Sequence, residues 1–252
     1  MNKIQYSPYF MYNPLFDQSI IDEAIKHVKE DWPNEACGAI INNKYERFEN
    51  KAEDKSNTFM ILDDDFNRAY IKGEVQCVIH SHNDYPMATV EDQNQQLAMD
   101  IPFGIINLVN RSVKHVMFWG EQVPIAPYKG RFFFYGGGFD CFSLVRDWWT
   151  EHYGVRSPNL ARDFAFWHEG VNLFESHMDS MPSYSVETSE IKPGDVLLYN
   201  INGTKYINHC AIYLENGLVL HHLYNQLSMY APITQYREFL IRAERFDPKY
   251  KE

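Results

Sequence analysis

Two groups of residues have the types and spacing that could do chemistry. His80 and His82 stand two apart at the end of the apolar run VQCVI, opening the segment HSHNDYPMATVED (80–92). The period of two in a strand turns both imidazoles to one face, where they could grip a divalent metal if a third ligand arrives. Asp92, at the start of an expected helix (EDQNQQLAM), can supply that ligand. Three protein ligands leave zinc a fourth position for water, as a catalytic site requires. A carboxylate base must then activate the water, and Glu35, just before CGAII, is the candidate. Taken alone, H-x-H more often describes packed or surface strand histidines than a metal site.

The second group centres on Cys141, which opens the segment CFSLVRDWWTEHY after Asp140 and the run Gly136, Gly137, Gly138. A thiol at a helix N-terminus feels the positive end of the macrodipole, which favours thiolate, and the glycines let a substrate backbone approach closely. A base is still required. His209 begins the strand HCAIYL, and His221 lies in the next strand across the turn Asn216-Gly217. Two strands of one hairpin can bring His221 against His209 to orient its ring, the logic of nucleophile, base and orienter. His222 competes for the third role, because alternation sends it to the opposite face. Cys37, Cys77 and Cys210 sit among apolar neighbours and read as buried small hydrophobes.

The elements that must position these groups can be read in outline. Ile20, Ile21, Ala24, Ile25 and Val28 recur at helical spacing, and Pro33 ends that helix. CGAII, FMIL, VQCVIH, FGIINLV and VKHVMFW read as strands of a mixed sheet, closed by Gly120. The segment 120–130, GEQVPIAPYKG, has two prolines, two glycines and no period, and is the best domain boundary. Beyond it come a helix from Cys141 to Tyr153, lined by Leu144, Val145, Trp148 and Trp149 and capped by Gly154, and strands at DVLLYN, HCAIYL and GLVLHHL. The expectation is α+β with two small domains, 1–119 and 131–252, joined by the linker 120–130.

The 252 residues are 45% hydrophobic and 23% charged, the balance of a globular protein rather than a disordered or disulfide-packed one. With 23 Lys and Arg against 34 Asp and Glu, the formal charge is −11, and neither half is basic. Nucleic acid and anionic lipid are therefore not expected partners. No run reaches the length of a membrane span. The first twenty residues, with Pro8 and Pro14, lack a secretory-signal core, so synthesis in the cytosol is expected.

Pro33-Asn34-Glu35-Ala36-Cys37-Gly38, then His80-Ser81-His82 and Thr89-x-x-Asp92, resembles the JAMM zinc metallopeptidases. That resemblance implies one zinc ion on His80, His82 and Asp92, Glu35 as base, and Thr89 at the serine that helps hold the oxyanion. Asn83 replaces the family's proline, Thr89 its serine, and the loop to Asp92 is one residue short. The second half resembles the NlpC-type cysteine peptidases, whose fold is papain-like, through G-x-D-C with its helix, Pro193-Gly194-Asp195-Val196, and a His-led strand ending in Ile212-Tyr213-Leu214. That implies cleavage of peptidoglycan stem peptides by Cys141, His209 and a third residue, with His221 at the matching position. The family's oxyanion tyrosine aligns with Phe133, with Tyr135 two residues on.

The two units in this order resemble the tail-tip assembly proteins of long-tailed phages, typified by lambda protein K. That resemblance implies a protein made in the host cytoplasm, carried in the virion tail tip, and partnered by other tail-tip proteins and by peptidoglycan peptides. Two functions stay open: a wall-opening peptidase, or an assembly protein whose peptidase folds serve as docking modules.

Overall fold

The computed structural model describes residues 10–12 and 14–251. Pro8, part of the stretch read for a secretory signal, lies outside the described residues. Packing divides the chain into two units, one ending at Pro124 and the next beginning at Ile125.

The first unit runs β1 (Phe10–Tyr12), α1 (Gln18–Asp31), β2 (Cys37–Ile41), β3 (Lys44–Phe48), α2 (Asp64–Ile71), β4 (Val75–Asn83), α3 (Val90–Met99), β5 (Phe103–Val109) and β6 (Ser112–Trp119). Its sheet has the order β1-β6-β5-β4-β2-β3, parallel at β1/β6 and β4/β5 and antiparallel elsewhere. Helix α1 buries Ile21, Ala24 and Val28, the predicted stripe, in one cluster with Ile40, Cys77, Ile79, Ile106 and Phe118. Because Cys77 and Ile79 face that cluster, alternation turns His80 and His82 to the opposite face of β4. The expected strand FMIL does not form. Ile61 makes an isolated bridge to Asn50, while Met60 and Leu62 are exposed; among the described residues no strand pairs with this segment. The polar strand β3, which shows no apolar run, is held by pairing with β2 along its whole length.

The second unit runs α4 (Cys141–Tyr153), α5 (Leu173–His177), β7 (Ser183–Val186), β8 (Val196–Tyr199), β9 (His209–Tyr213), β10 (Leu218–His221), β11 (Met229–Pro232) and β12 (Leu240–Phe246), with short 3₁₀ turns between. Its sheet is antiparallel throughout, in the order β11-β10-β9-β8-β12-β7. Leu197, Tyr199, Ala211, Val219 and Ala243 fill one face. On the other, Val196, Leu198 and Cys210 meet Phe142, Val145 and Trp149 of α4. The protein is thus α+β, with a mixed sheet in the first unit and an antiparallel sheet in the second. Trp148, expected on the buried stripe, is only half-buried and stacks on His152 at 3.6 Å.

Two motifs prove to be structural joints. Asp195 of Pro193-Gly194-Asp195 pairs with Arg245 on β12 at 2.8 Å, and Gly194 (φ 93°) donates its N–H to Tyr213 on β9. The glycine run forms the tight loop between the bridged residues Phe134 and Phe139. A Cβ on Gly137 would come within 1.9 Å of the Phe134 ring, so the loop itself requires glycine.

Candidate functional sites

Strand β4 and the N-terminus of α3 bring His80, His82 and Asp92 together. His80 Nε2 lies 3.0 Å from His82 Nε2, His80 Nε2 3.2 Å from Asp92 Oδ1, and His82 Nε2 3.3 Å from Asp92 Oδ2. All three side chains are buried, and their donor atoms fall within 4.8 Å of one another. Four ligands set tetrahedrally at a zinc–nitrogen or zinc–oxygen distance of about 2.0–2.1 Å would stand about 3.3 Å apart. The observed separations fit that edge, so the residues present suit a small divalent cation. Glu35, buried in the segment between α1 and β2, places Oε1 3.9 Å from His82 Nε2.

The surrounding shell fixes these groups. Thr89 is the N-cap of α3: its Oγ1 donates to Asp92 Oδ2 at 2.7 Å, its N–H donates to the same oxygen at 2.8 Å, and it accepts the N–H of Asp92. Its hydroxyl is thus engaged with the carboxylate it orients. Asn83, at the position of the expected proline, donates its side-chain amide to the Pro33 carbonyl and ties down the chain ahead of Glu35. Glu35 donates its N–H to the Lys55 carbonyl, and Asn50 donates to the Glu35 carbonyl. Phe59 stacks on the His80 ring at 4.3 Å.

Charge in this pocket is strongly redistributed. Burial pushes Glu35 up to about 8, with the Asp92 and Asp54 charges adding and His82 opposing. Burial also lowers His80. His82 moves up: burial acts against it, but the Asp92 hydrogen bond and charge, with Glu35, outweigh that. For Asp92 burial would favour the acid, yet the two imidazoles hold it well below the usual carboxylate range.

In the second unit the sequence-predicted trio also converges. Cys141 is the first residue of α4 and is partly exposed. His221 lies opposite Ala211 in the β9/β10 register, which makes it the diagonal neighbour of His209 on the same face. His221 Nδ1 accordingly comes 3.4 Å from His209 Nε2. His222 lies beyond β10, with Nε2 3.1 Å from the Gln226 carbonyl and its ring edge-on to Phe133. The structure therefore brings His221, rather than His222, to His209.

The Cys141 thiol is drawn down to about 5. A hydrogen bond with the Cys210 thiol contributes most; burial opposes it, and the hydrogen bond and charge of His209 add to it, while Asp140 works against it. Burial, with its histidine neighbours, lowers His221 to about 3. It lowers His222 to about 4.

Two contributors escaped the sequence reading. Cys210 is buried as expected, but its thiol bonds the nucleophile candidate. Arg162 reaches the buried Asp140 through Nε at 2.8 Å and Nη2 at 2.6 Å, while Asp140 caps α4 by accepting the N–H of Ser143. A buried acid beside a thiol implies a counter-cation, but nothing local in the sequence says which one. Tyr135 also lies in this neighbourhood, with the Arg162 guanidinium 5.7 Å over its ring and the Cys141 charge acting on it.

Residues 128–243 match the NlpC/P60 family. The tail tip assembly protein K of Escherichia phage lambda is 32% identical over 167 residues, covering 66% of this chain and 78% of that protein. The tail tip assembly protein K of Escherichia phage N15 is 26% identical over 228 residues, covering 87% and 90%. Among solved structures, a Staphylococcus aureus protein of the NLP/P60 family, similar to lipoprotein, matches at 23% identity and a TM-score of 0.34. That match covers 48% of this chain and only 38% of the other. The sequence relatives carry the assignment: the chain belongs to the tail tip assembly protein K family, with an NlpC/P60 domain in its second half.

Proposed function

We propose that this protein is a tail-tip component whose NlpC/P60 domain is a thiol peptidase acting on peptidoglycan stem peptides during cell-wall penetration. The observation that carries this reading is the chain of contacts from the partly exposed Cys141 at the start of α4, through its hydrogen bond to His209, to His221 at 3.4 Å. Cys141 Sγ attacks the scissile carbonyl carbon. His209 gives its proton to the leaving amine as the C–N bond breaks, leaving a thioester. Water, deprotonated by His209, then releases the acid and the thiolate. His221, held neutral by burial, orients the His209 ring. The backbone N–H of Cys141 has no intrahelical acceptor at this position and is the oxyanion donor.

The first unit, in this reading, is a JAMM-like metallopeptidase domain in which His80, His82 and Asp92 hold one zinc ion. Bound zinc would supply a Lewis acid and lower the pKa of a coordinated water. Glu35 carries the transferable proton at Oε1. Thr89 orients Asp92 rather than facing substrate. The protein is made in the host cytoplasm and leaves it within the virion, docked on other tail-tip proteins.

A digest of purified muropeptides separates the readings. Wild-type protein should cleave stem peptides, Cys141→Ala should not, and chelation should leave the thiol-dependent cleavage in place. Cleavage that survives Cys141→Ala rejects the nucleophile assignment. No cleavage by the fully reduced wild type would favour docking modules over catalysis.

A further inference from the structure

Cys210 directly follows His209 in β9, so its side chain points to the face on which α4 packs while the His209 ring turns to the other. There, where the first turn of α4 packs on β9 and Phe142 and Val145 stand beside Cys210, its thiol interacts with the Cys141 thiol. Cys141 is partly exposed, whereas Cys210 is buried, at 1% exposure. A cavity of about 30 Å³, bounded by Phe142, Val145, Leu198 and Cys210, lies alongside and gives the buried sulfur room to shift. The remaining cysteines differ: Cys37 donates to the Phe48 carbonyl and Cys77 to that of Val78, both buried in the first unit.

We propose that Cys141 and Cys210 form a peroxide-responsive pair, in which Cys141 is oxidised first and Cys210 resolves it into a disulfide that reversibly masks the nucleophile. The Cys141 thiolate attacks one oxygen of a peroxide. An S–O bond forms, the O–O bond breaks, and hydroxide leaves, taking a proton from water or from His209. Cys210 sulfur then attacks the Cys141 sulfur. The S–S bond forms as the S–OH bond breaks, and the Cys210 proton departs with the hydroxyl as water. The peroxide is reduced by two electrons and the two thiols are oxidised by two. Without a resolving thiol, the sulfenic acid would advance to sulfinic acid, which thiol reductants do not reverse.

The inference rests on the reading of Cys141 as a reactive thiol, but its test reads sulfur chemistry, not peptidase activity. Full-length protein is treated with hydrogen peroxide in several-fold molar excess, enough for the two equivalents that sulfinic acid requires, then analysed by intact mass, non-reducing peptide mapping and native alkylation. Wild type should lose the mass of two hydrogens, yield a linked Cys141–Cys210 peptide pair, and recover Cys141 alkylation on addition of dithiothreitol. Cys210→Ser should instead give Cys141 sulfinic acid, with recovery reduced to about one-tenth or less. Cys210→Ala repeats the test should serine disturb the packing. Cys141 recovered from wild type as sulfinic acid, with Cys210 still alkylatable after unfolding, overturns the proposal. Failure of the peptidase reading would appear separately, as reduced wild type that leaves stem peptides intact while still forming the disulfide.

Discussion

Replacement of Arg162 by Met isolates the buried ion pair behind the nucleophile. The Asp140 carboxylate is 0% exposed and receives both Nε and Nη2 of Arg162. Its other partners are the N–H groups of Gly136 and Ser143 and the Ser143 hydroxyl, none of which carries charge. Methionine leaves a buried carboxylate without a counter-ion, a change that costs about 3–5 kcal/mol. A unit of roughly 130 residues has an unfolding entropy near 0.27 kcal/mol/K, so the transition of the second unit should fall by about 11–19 °C. Differential scanning calorimetry reads this, with the transition of the first unit as internal control. The thiol supplies a second readout: loss of Arg162 unmasks Asp140 beside Cys141, so the alkylation midpoint should rise by about one unit or more. Asp140→Asn combined with Arg162→Met should recover part of the lost stability, because the orphaned charge is gone while the helix keeps a capping side chain. A melting shift under about 4 °C, or a double variant no better than Arg162→Met alone, would refute the account of Asp140 and Arg162 as an interdependent pair.

Further outcomes follow from the same geometry. Iodoacetamide should label Cys141 with a midpoint near pH 5, set by the Cys210 and His209 contacts; Cys37, pushed up to about 12 by burial, should stay unlabelled in the native protein. His221 and His222 are depressed by burial to about 3 and about 4, so the unfolded chain binds more protons than the folded one below about pH 6.5. Stability of the second unit is therefore full above that value and falls with pH down to those lower values, by at most about 1.4 kcal/mol per pH unit for each histidine. Acid melts of His222→Gln should show a shallower fall. Zinc titration of metal-free protein should give one site, absent in His80→Ala, and an unchanged isotherm in that variant would remove the assignment. Thr89→Val should lower metal affinity about 10–100-fold by freeing Asp92 and cost about 1 kcal/mol as a lost cap; Thr89→Ser, which keeps the hydroxyl, should do neither.

Periodicity and local chemistry in the sequence were enough for much of this protein. The stripe Ile21, Ala24, Val28 marked α1, the apolar runs marked β2, β4, β5 and β6, and the glycine run with Asp140 marked the start of α4 at Cys141. H-x-H with Asp92, and Cys141 with His209 and His221, were legible because strand alternation and helix starts place side chains by local rules. Residues that owe their position to pairing or to distant charge were not. Strand β3 carries no apolar signal and exists because β2 and its turn hold it, while FMIL carries the signal but, among the described residues, makes only the isolated bridge of Ile61 to Asn50. The choice of His221 over His222 depended on a diagonal relation between two strands, which only the register of β9 and β10 fixes. Arg162 reaches Asp140 across 22 residues, and Cys210 meets Cys141 because α4 lies against β9. Burial decided the rest: a carboxylate at position 35 or a thiol at position 141 has ordinary acidity in an unfolded chain, and acquires another only when the folded protein removes water and supplies the neighbours.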